Sequence, residues 1–351
     1  MDDTTTFRPG EHVIDLGLRR TARLSLSEVA VSFPNRIHMT PLDCNRFGFG
    51  KPGGGGIGFA IETGNRLSVR VSDQSAVHAD RPEDGPLVLH YHRVFQTMVC
   101  CSSECVFDLR VPSLVRQHFG LGSSVAVACA VFYSMNKLYG EPFSTQEMRL
   151  LIGHNFVEEY QGLVTRGLET GVGTSTILRG GVSVVANELV ELLNRPFPEG
   201  FSLLLVDPRT ERPDTDKPES EAMLRRTFFL DASYRYIKAY DLLMDMLPAL
   251  HHGDLKRLGD YIWDIQFSGT HLSMIQSYEC RGRQIYDVLT VLREAGSEVC
   301  GLSSVGPAIY AICRRERKPE IVSALSAQCG NTVTVEEIVP DNKGVRGVGS
   351  E

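Results

Sequence analysis

The chain has 351 residues, 42% of them hydrophobic and 23% charged, with a formal net charge of −7. That length exceeds what one hydrophobic core serves and predicts two domains, while an acidic balance without a basic run excludes a general nucleic-acid binder. No apolar stretch reaches spanning length and Met1-Asp2-Asp3 does not begin a secretory leader, so a cytoplasmic protein is expected. Nine cysteines, an odd number, fit reduced thiols better than a disulfide framework. Cys100, Cys101 and Cys105 cluster, but no second Cys/His pair stands at zinc spacing.

In chain order, residues 26–33, 36–41, 59–62, 67–71 and 87–93 read as strands between glycine turns. In the last of these His90 and His92 alternate, either as half-buried strand residues or as a ligand pair. A helix is expected over 123–137, stopping before Gly140 and Pro142. A second runs over 144–155, with Ser144 as its cap and Glu147 completing a capping box. Residues 201–206 form a buried strand, followed by a charged surface loop over 207–219. Helices then follow over 219–250 (broken on the way), 253–267 and 282–295. A short strand near 298–300, a turn at 303–306 opening a further helix, and a strand at 332–339 complete the pattern. This order suggests an open α+β layer, with domains at 1–190 and 191–340 and a disordered tail over 341–351.

The stretch richest in information is Gly120-Leu121-Gly122-Ser123-Ser124, which runs directly into an apolar helix. The first amides of a helix lack internal partners and lie at the positive end of its dipole. Glycines let an anion approach that end, and serine hydroxyls add donors. Three more glycine-rich turns recur: 51–58 with Gly54, Gly55 and Gly56; 169–175 with Gly171, Gly173, Thr174 and Ser175; and 301–307 with Ser303, Ser304 and Gly306. A single such loop reads as an ordinary turn. Four together, two opening helices with paired serines, point to an anionic ligand. Arg36 suits a phosphate because its planar fork matches oxyanions.

These motifs resemble the GHMP small-molecule kinase fold. Arg36-Ile37-His38-Met39-Thr40-Pro41-Leu42-Asp43-Cys44-Asn45, the run 54–62, Gly171-Val172-Gly173-Thr174, Gly180-Gly181, residues 247–250 and 264–266, and Ser303-Ser304-Val305-Gly306-Pro307 are similar to the β-ribofuranosylaminobenzene 5′-phosphate synthases within it. The resemblance spans residues 30–315. It implies two domains with a mixed or antiparallel sheet, a long phosphate-loop helix and a ferredoxin-like C-terminal domain. It also implies phosphoribosyl pyrophosphate (PRPP) in place of ATP, and an aromatic carboxylic acid as acceptor, with release of pyrophosphate and CO2. A homodimer is implied too. The same family is similar to the C-ribosyltransferases of C-nucleoside antibiotic pathways. Where an Arg-Ser pair is expected ahead of the Gly-Val-Gly turn, this chain has Glu169-Thr170, which favours a heteroaromatic acid such as a pyrazole dicarboxylate over a benzoate.

On that resemblance, Gly122, Ser123 and Ser124 would hold the pyrophosphate, helped by Mg2+ reached through Ser123 or Ser124. Asp43 is the candidate carboxylate for the cationic anomeric carbon, with Asn45 and His38 beside it; the plainer reading of Asp43 is a turn cap. His38 is either a ligand or half of a buried strand pair with Arg36. Thr174 and Ser175 either grip the 5′-phosphate or form a turn. Ser303, Ser304 and Gly306 either close the site or cap a helix. An ATP-dependent small-molecule kinase and a non-catalytic relative that binds the same ligand are the competing readings.

Overall fold

The computed structural model describes residues 6–46, 48, 50–210 and 228–348. Two long antiparallel strands, β1 (Glu28–Pro41) and β2 (Gly56–Ser72), form the spine of the first sheet, with register irregularities between Phe33 and Asn35 and between His38 and Thr40. Onto β2 are added β4 (Glu104–Arg110), which pairs in parallel with β3 (Ala76–Ala79), and β7 (Val182–Val185), which pairs with β8 (Glu191–Arg195). The sheet is mixed. It extends through Arg195, a few residues past the expected domain division.

Against this sheet pack α1 (Asp84–Val99) and α2 (Ser123–Leu138). Residues 87–93, expected as a strand, lie in α1. Leu87, Val88, Tyr91, Val94, Phe95 and Met98 recur at three- and four-residue steps and bury one face, so the helical period prevails over the short alternation. His90 accepts from the Gly10 amide at 3.1 Å and its other ring nitrogen sits 3.2 Å from the Asn155 carbonyl, a structural bridge. Helix α3 (Thr145–His154) carries the expected capping box of Ser144 and Glu147. The hairpin β5 (Val157–Tyr160) and β6 (Leu163–Arg166) precedes α4 (Val172–Arg179).

The second sheet is antiparallel, in the order β10 (Val299–Leu302), β11 (Ile309–Arg314), β9 (Phe201–Asp207), β12 (Thr334–Ile338). Between β9 and β10 lie α5 (Phe228–Asp241), α6 (Leu247–His252), α7 (Leu255–Gln266), α8 (Gly269–Ser277) and α9 (Gly282–Glu294); α10 (Lys318–Cys329) joins β11 to β12. A strand, helices, two strands, a helix and a strand in this order form a split β-α-β, the ferredoxin-like arrangement. The wide turn Leu242–Met246 between α5 and α6 is the break expected within 219–250; residues 211–227 lie outside the described set.

Two expectations are corrected here. Residues 309–312 lie in β11, with Ile309 opposite Val206, because Pro307 disfavours a helical turn before it and branched Ile309 and Ile312 suit a buried strand. Residues 341–348 are not a loose tail. The Asp341 carboxylate accepts from the amides of Lys343 and Gly344 and from Arg346, and β13 (Arg346–Gly347) pairs with β1.

Candidate active site

A cleft opens where the two domains meet. Its walls are Arg36 and His38 of β1, the loop 117–122 with Ser123 and Ser124 of α2, Glu158 of β5, Glu169 and Thr170 ahead of α4, Gly173, and Ser304 from the second domain. The glycine-serine loop therefore faces the cleft. Gly122 takes a left-handed conformation (φ 66°) and stands at the cap position of α2 without a side-chain hydrogen bond to the helix. The first intrahelical bond is Ala126 to Gly122 at 3.1 Å, so the amides of residues 123–125 lie ahead of the ladder at the positive end of a long helix.

Arg36 brings a fixed cation to this point. Its guanidinium donates to the Gly120 carbonyl at 2.9 Å and lies so close to Gly122 that a Cβ there would sit 2.9 Å from Cζ. His38, one step along the same face of β1, is buried. Its ring nitrogen Nε2 is 3.5 Å from the Thr170 hydroxyl. Burial, then Arg36, then His271 push its pKa well below the usual imidazole range, so it is neutral at physiological pH.

The Gly171-Val172-Gly173 turn does begin a helix, but the chain fills that helix end itself. Glu169 accepts from the Gly171 amide at 2.7 Å and from the Thr174 amide, and Val172 donates to Thr170 Oγ1 at 3.4 Å. Glu169 is buried beside Arg36 and Arg149; burial raises its pKa while both cations oppose the rise. Thr174 and Ser175 turn inward: Thr174 donates to the Gly171 carbonyl, and Ser175 bonds Ser183 and Glu191. Neither hydroxyl reaches the cleft, which corrects their expected grip on a 5′-phosphate.

The run of Gly54, Gly55 and Gly56 is also structural. Gly54 donates to Asn187, and a Cβ on Gly55 would fall 2.1 Å from the Val185 carbonyl. Gly56 is similarly pressed against His38 and Val172. These glycines let β1, β2 and β7 close together and do not line the cleft.

Asp43 and Asn45 lie in a turn outside it as well. Asp43 accepts from the Asn45 amide at 3.0 Å and from Arg46 at 3.3 Å, the turn-capping arrangement, and Asn45 is exposed. The cleft's carboxylates are Glu158, Glu159 and Glu169. Sequence reasoning passed over Glu158 and Glu159 and noted Glu169 only as a departure, because no local pattern marks which glutamates face a cleft.

Ser303 binds the second domain to this wall. It accepts from the His38 amide at 3.1 Å, and Ser304 donates to the His38 carbonyl at 3.0 Å. Gly306 completes the turn through its amide to the Ser303 carbonyl at 2.9 Å.

The sequence profile of the GHMP kinases N-terminal domain matches residues 88–167, and that of the C-terminal domain matches 246–331. The chain carries a GHMP kinases N-terminal and a GHMP kinases C-terminal domain. Across 329 residues it is 23% identical to a beta-ribofuranosylphenol 5′-phosphate synthase of Methanothermobacter thermautotrophicus, covering 86% of this chain and 93% of that one. The synthase of the same name from Methanocaldococcus jannaschii is 26% identical over 312 residues, 80% and 88% of the two chains. Among solved structures, homoserine kinase from Cytophaga hutchinsonii superposes with a TM-score of 0.67 at 16% identity, over 94% of this chain and all of that one, a likeness of fold.

Among the described residues no group of three His, Cys, Asp or Glu side chains forms a metal cage. The cleft suits a hard cation that arrives with a diphosphate, since Glu158 and Glu169 offer carboxylate oxygens and Ser123 and Ser124 offer hydroxyls. None of the described helices is long and apolar enough to cross a membrane.

Proposed function

We propose that the protein is a PRPP-dependent C-ribosyltransferase, joining C1 of ribose 5-phosphate to a ring carbon of an aromatic or heteroaromatic acid with loss of pyrophosphate and CO2. The observation that carries this reading is the uncapped N-terminus of α2 beside Arg36, in a chain that runs nearly the whole length of two ribosylphenol phosphate synthases. Such an end holds a diphosphate through amides, dipole and guanidinium together. Mg2+, bound through the diphosphate with Ser123 or Ser124, would neutralise leaving-group charge.

The protein's own groups then divide the work. As the C1–O bond breaks, its electron pair leaves with the pyrophosphate, whose charge the α2 amides and Arg36 absorb. Positive charge grows at C1, and the carboxylates of Glu158 and Glu169 lie in the same cleft to stabilise it. The acceptor's ring carbon forms the new C–C bond. The bond to its carboxylate breaks next, and that electron pair restores aromaticity as CO2 departs, so no base need remove a ring proton. Neutral His38 can orient the acceptor by hydrogen bonding without competing for its charge.

Glu169-Thr170 on the cleft wall favours a heteroaromatic acceptor with ring N–H donors, such as a pyrazole dicarboxylate, over a benzoate. That choice would place the enzyme in C-nucleoside antibiotic biosynthesis. The test is mass spectrometry of products from PRPP with a panel of pyrazole and benzene carboxylic acids, with pyrophosphate and CO2 measured alongside. A C-riboside of a pyrazole acid supports the reading, and a benzoate-derived product moves it to the phenol-type reaction. ADP formed from ATP and an alcohol, without any riboside, would replace it with a kinase.

A further inference from the structure

The cleft is polar over most of its wall, as a diphosphate requires, yet two phenylalanines also line it. Phe119 already carries the Arg116 guanidinium on its face, 4.0 Å from the ring centre. Phe156, otherwise buried, stands at the foot of the β5–β6 hairpin with Leu168 beyond the other strand, and among the described residues no ring or guanidinium stacks on it. A glycine sets the place of that ring. The Gly167 amide donates to the Phe156 carbonyl at 3.1 Å, one step past the pair Val157 and Arg166, so the two residues face each other across the hairpin. A Cβ on Gly167 would lie 2.6 Å from both Cδ1 and Cε1 of the ring and 3.2 Å from Cγ of Glu158. Gly167 takes no left-handed conformation, so its backbone does not itself demand glycine. What excludes a side chain is the ring lying across it, an aromatic covering a bare glycine. Phe156 and Glu158 therefore stand side by side over one gap in the hairpin.

We propose that Phe156 is the platform on which the acceptor's aromatic ring is seated and that Gly167 holds the platform in place, an assignment that rests on the transferase reading above. Ribose and diphosphate bind through polar groups and gain little from an apolar wall, whereas an aromatic acid must bury a flat face. Offset stacking on a phenylalanine supplies that face. Glu158, beside the platform and also in the cleft wall, keeps a seated ring next to the charge that develops at C1. Phe156 makes and breaks no bond. It selects and orients the acceptor, and leaves the donor's binding to Arg36 and the α2 loop.

Calorimetric titration of the full chain separates the two ligands. Inorganic pyrophosphate with Mg2+, and then pyrazole-3,5-dicarboxylate or 4-hydroxybenzoate in its presence, are titrated into the wild type, Phe156→Leu, Phe156→Tyr and Gly167→Ala. Phe156→Leu keeps an apolar side chain without the ring, and Gly167→Ala pushes the ring off its seat. Both are expected to bind pyrophosphate within roughly twofold of the wild type but the better-bound acid about tenfold more weakly, while Phe156→Tyr, which keeps the ring, stays within roughly threefold. Unchanged acid affinity in Phe156→Leu, or a parallel loss of acid and pyrophosphate, overturns the platform. A wild type that binds pyrophosphate but neither acid also overturns it and leaves the donor reading standing; a wild type that binds no pyrophosphate removes the transferase reading and the platform together. Should the variants fail to fold, amide hydrogen exchange of the wild type decides instead. Exchange over residues 156–167 that slows when either acid joins the pyrophosphate complex supports the seat, and exchange that both acids leave unchanged refutes it.

Discussion

The Ser303 hydroxyl donates to the Gly120 carbonyl at 2.7 Å, fastening a turn of the second domain to the loop that opens α2. The approach is so close that a Cβ on Gly120, which has φ +86°, would lie 2.3 Å from the Ser303 carbonyl. Because the same hydroxyl accepts from the His38 amide, one side chain ties together β1, the loop that opens α2 and the second domain. The cleft is therefore an interdomain joint whose geometry depends on a buried serine.

Ser303→Ala removes that joint without adding bulk. It leaves the His38 amide without its acceptor, while the Gly120 carbonyl keeps Arg36, at a cost of about 1–3 kcal/mol in stability. The loop also loses its anchor, so KM for PRPP should rise roughly tenfold, more than kcat falls, since the loss acts on ligand positioning. Denaturant midpoints and steady-state kinetics check this together. An unchanged KM would show that the loop keeps its shape unaided.

Ser123→Ala/Ser124→Ala should weaken PRPP binding and turnover together, because the hydroxyls sit at the open helix end. Arg36→Ala should cost more, on the order of a hundredfold in affinity, since a charge-assisted fork is lost rather than neutral donors. Calorimetric titration with PRPP measures both. Equal affinity in the Arg36 variant would remove the guanidinium from the binding site.

Glu169→Gln and Asp43→Asn separate a cleft carboxylate from the turn carboxylate that the sequence favoured. The first keeps a side-chain oxygen for the α4 amides but removes the charge facing the cleft; kcat should fall on the order of a hundredfold, the scale of a lost aligned electrostatic stabiliser. The second only softens an exposed turn, and turnover should stay within roughly twofold. If the Asp43 variant is the inactive one, the turn moves into the site during the reaction.

Much of this was legible beforehand, and the parts that were not share a cause. The α2 loop could be read because Gly-Ser-Ser before an apolar run is both a local conformational signal and a chemical one. The Ser144–Glu147 box was equally local. Residues 87–93 misled because apolar side chains on neighbouring turns mimic alternation over a short window. The Gly54–Gly56 run looks like a phosphate cradle in sequence, yet Gly55 accommodates the Val185 backbone and Gly56 the His38 ring and Val172, partners far away in the chain. Asp43, expected at the site, caps a turn, while Glu169, noted only as a departure, lines the cleft, for the same reason. Which carboxylate faces a cleft depends on packing between β1 and α4, and spacing along the chain does not encode that.

Acid should destabilise the fold in a defined window. Burial holds His90 and His92 down to about 4 and His271 to about 3, and lowers His38 as well. In the unfolded chain each titrates near 6.5. Below that value the unfolded state binds protons that the native state refuses, so the stabilisation is complete above about pH 6.5 and is lost progressively as pH falls towards about 4. Glu169 and Asp84, raised by burial, act in the opposite sense but are fewer. Denaturant midpoints at about pH 7 and about pH 4.5 should show the drop. His271→Phe should lessen it, since neither ring nitrogen of His271 has a hydrogen-bond partner.

Lys238 tests how the second domain holds the end of β1. Its ammonium is buried, paired with Asp231, and donates to the Pro41 carbonyl at 3.1 Å. Asp231 in turn accepts from Thr270 and from the Cys44 amide at 2.8 Å. Lys238→Met leaves that carboxylate buried without its counter-ion, which costs about 3–5 kcal/mol. Lys238→Met/Asp231→Leu removes both charges and should recover part of the loss, although the Cys44 amide then lacks its acceptor. Chemical denaturation of the two variants gives the comparison. A single variant as stable as the wild type would mean that water reaches this pair and that the clamp on residues 41–44 contributes little.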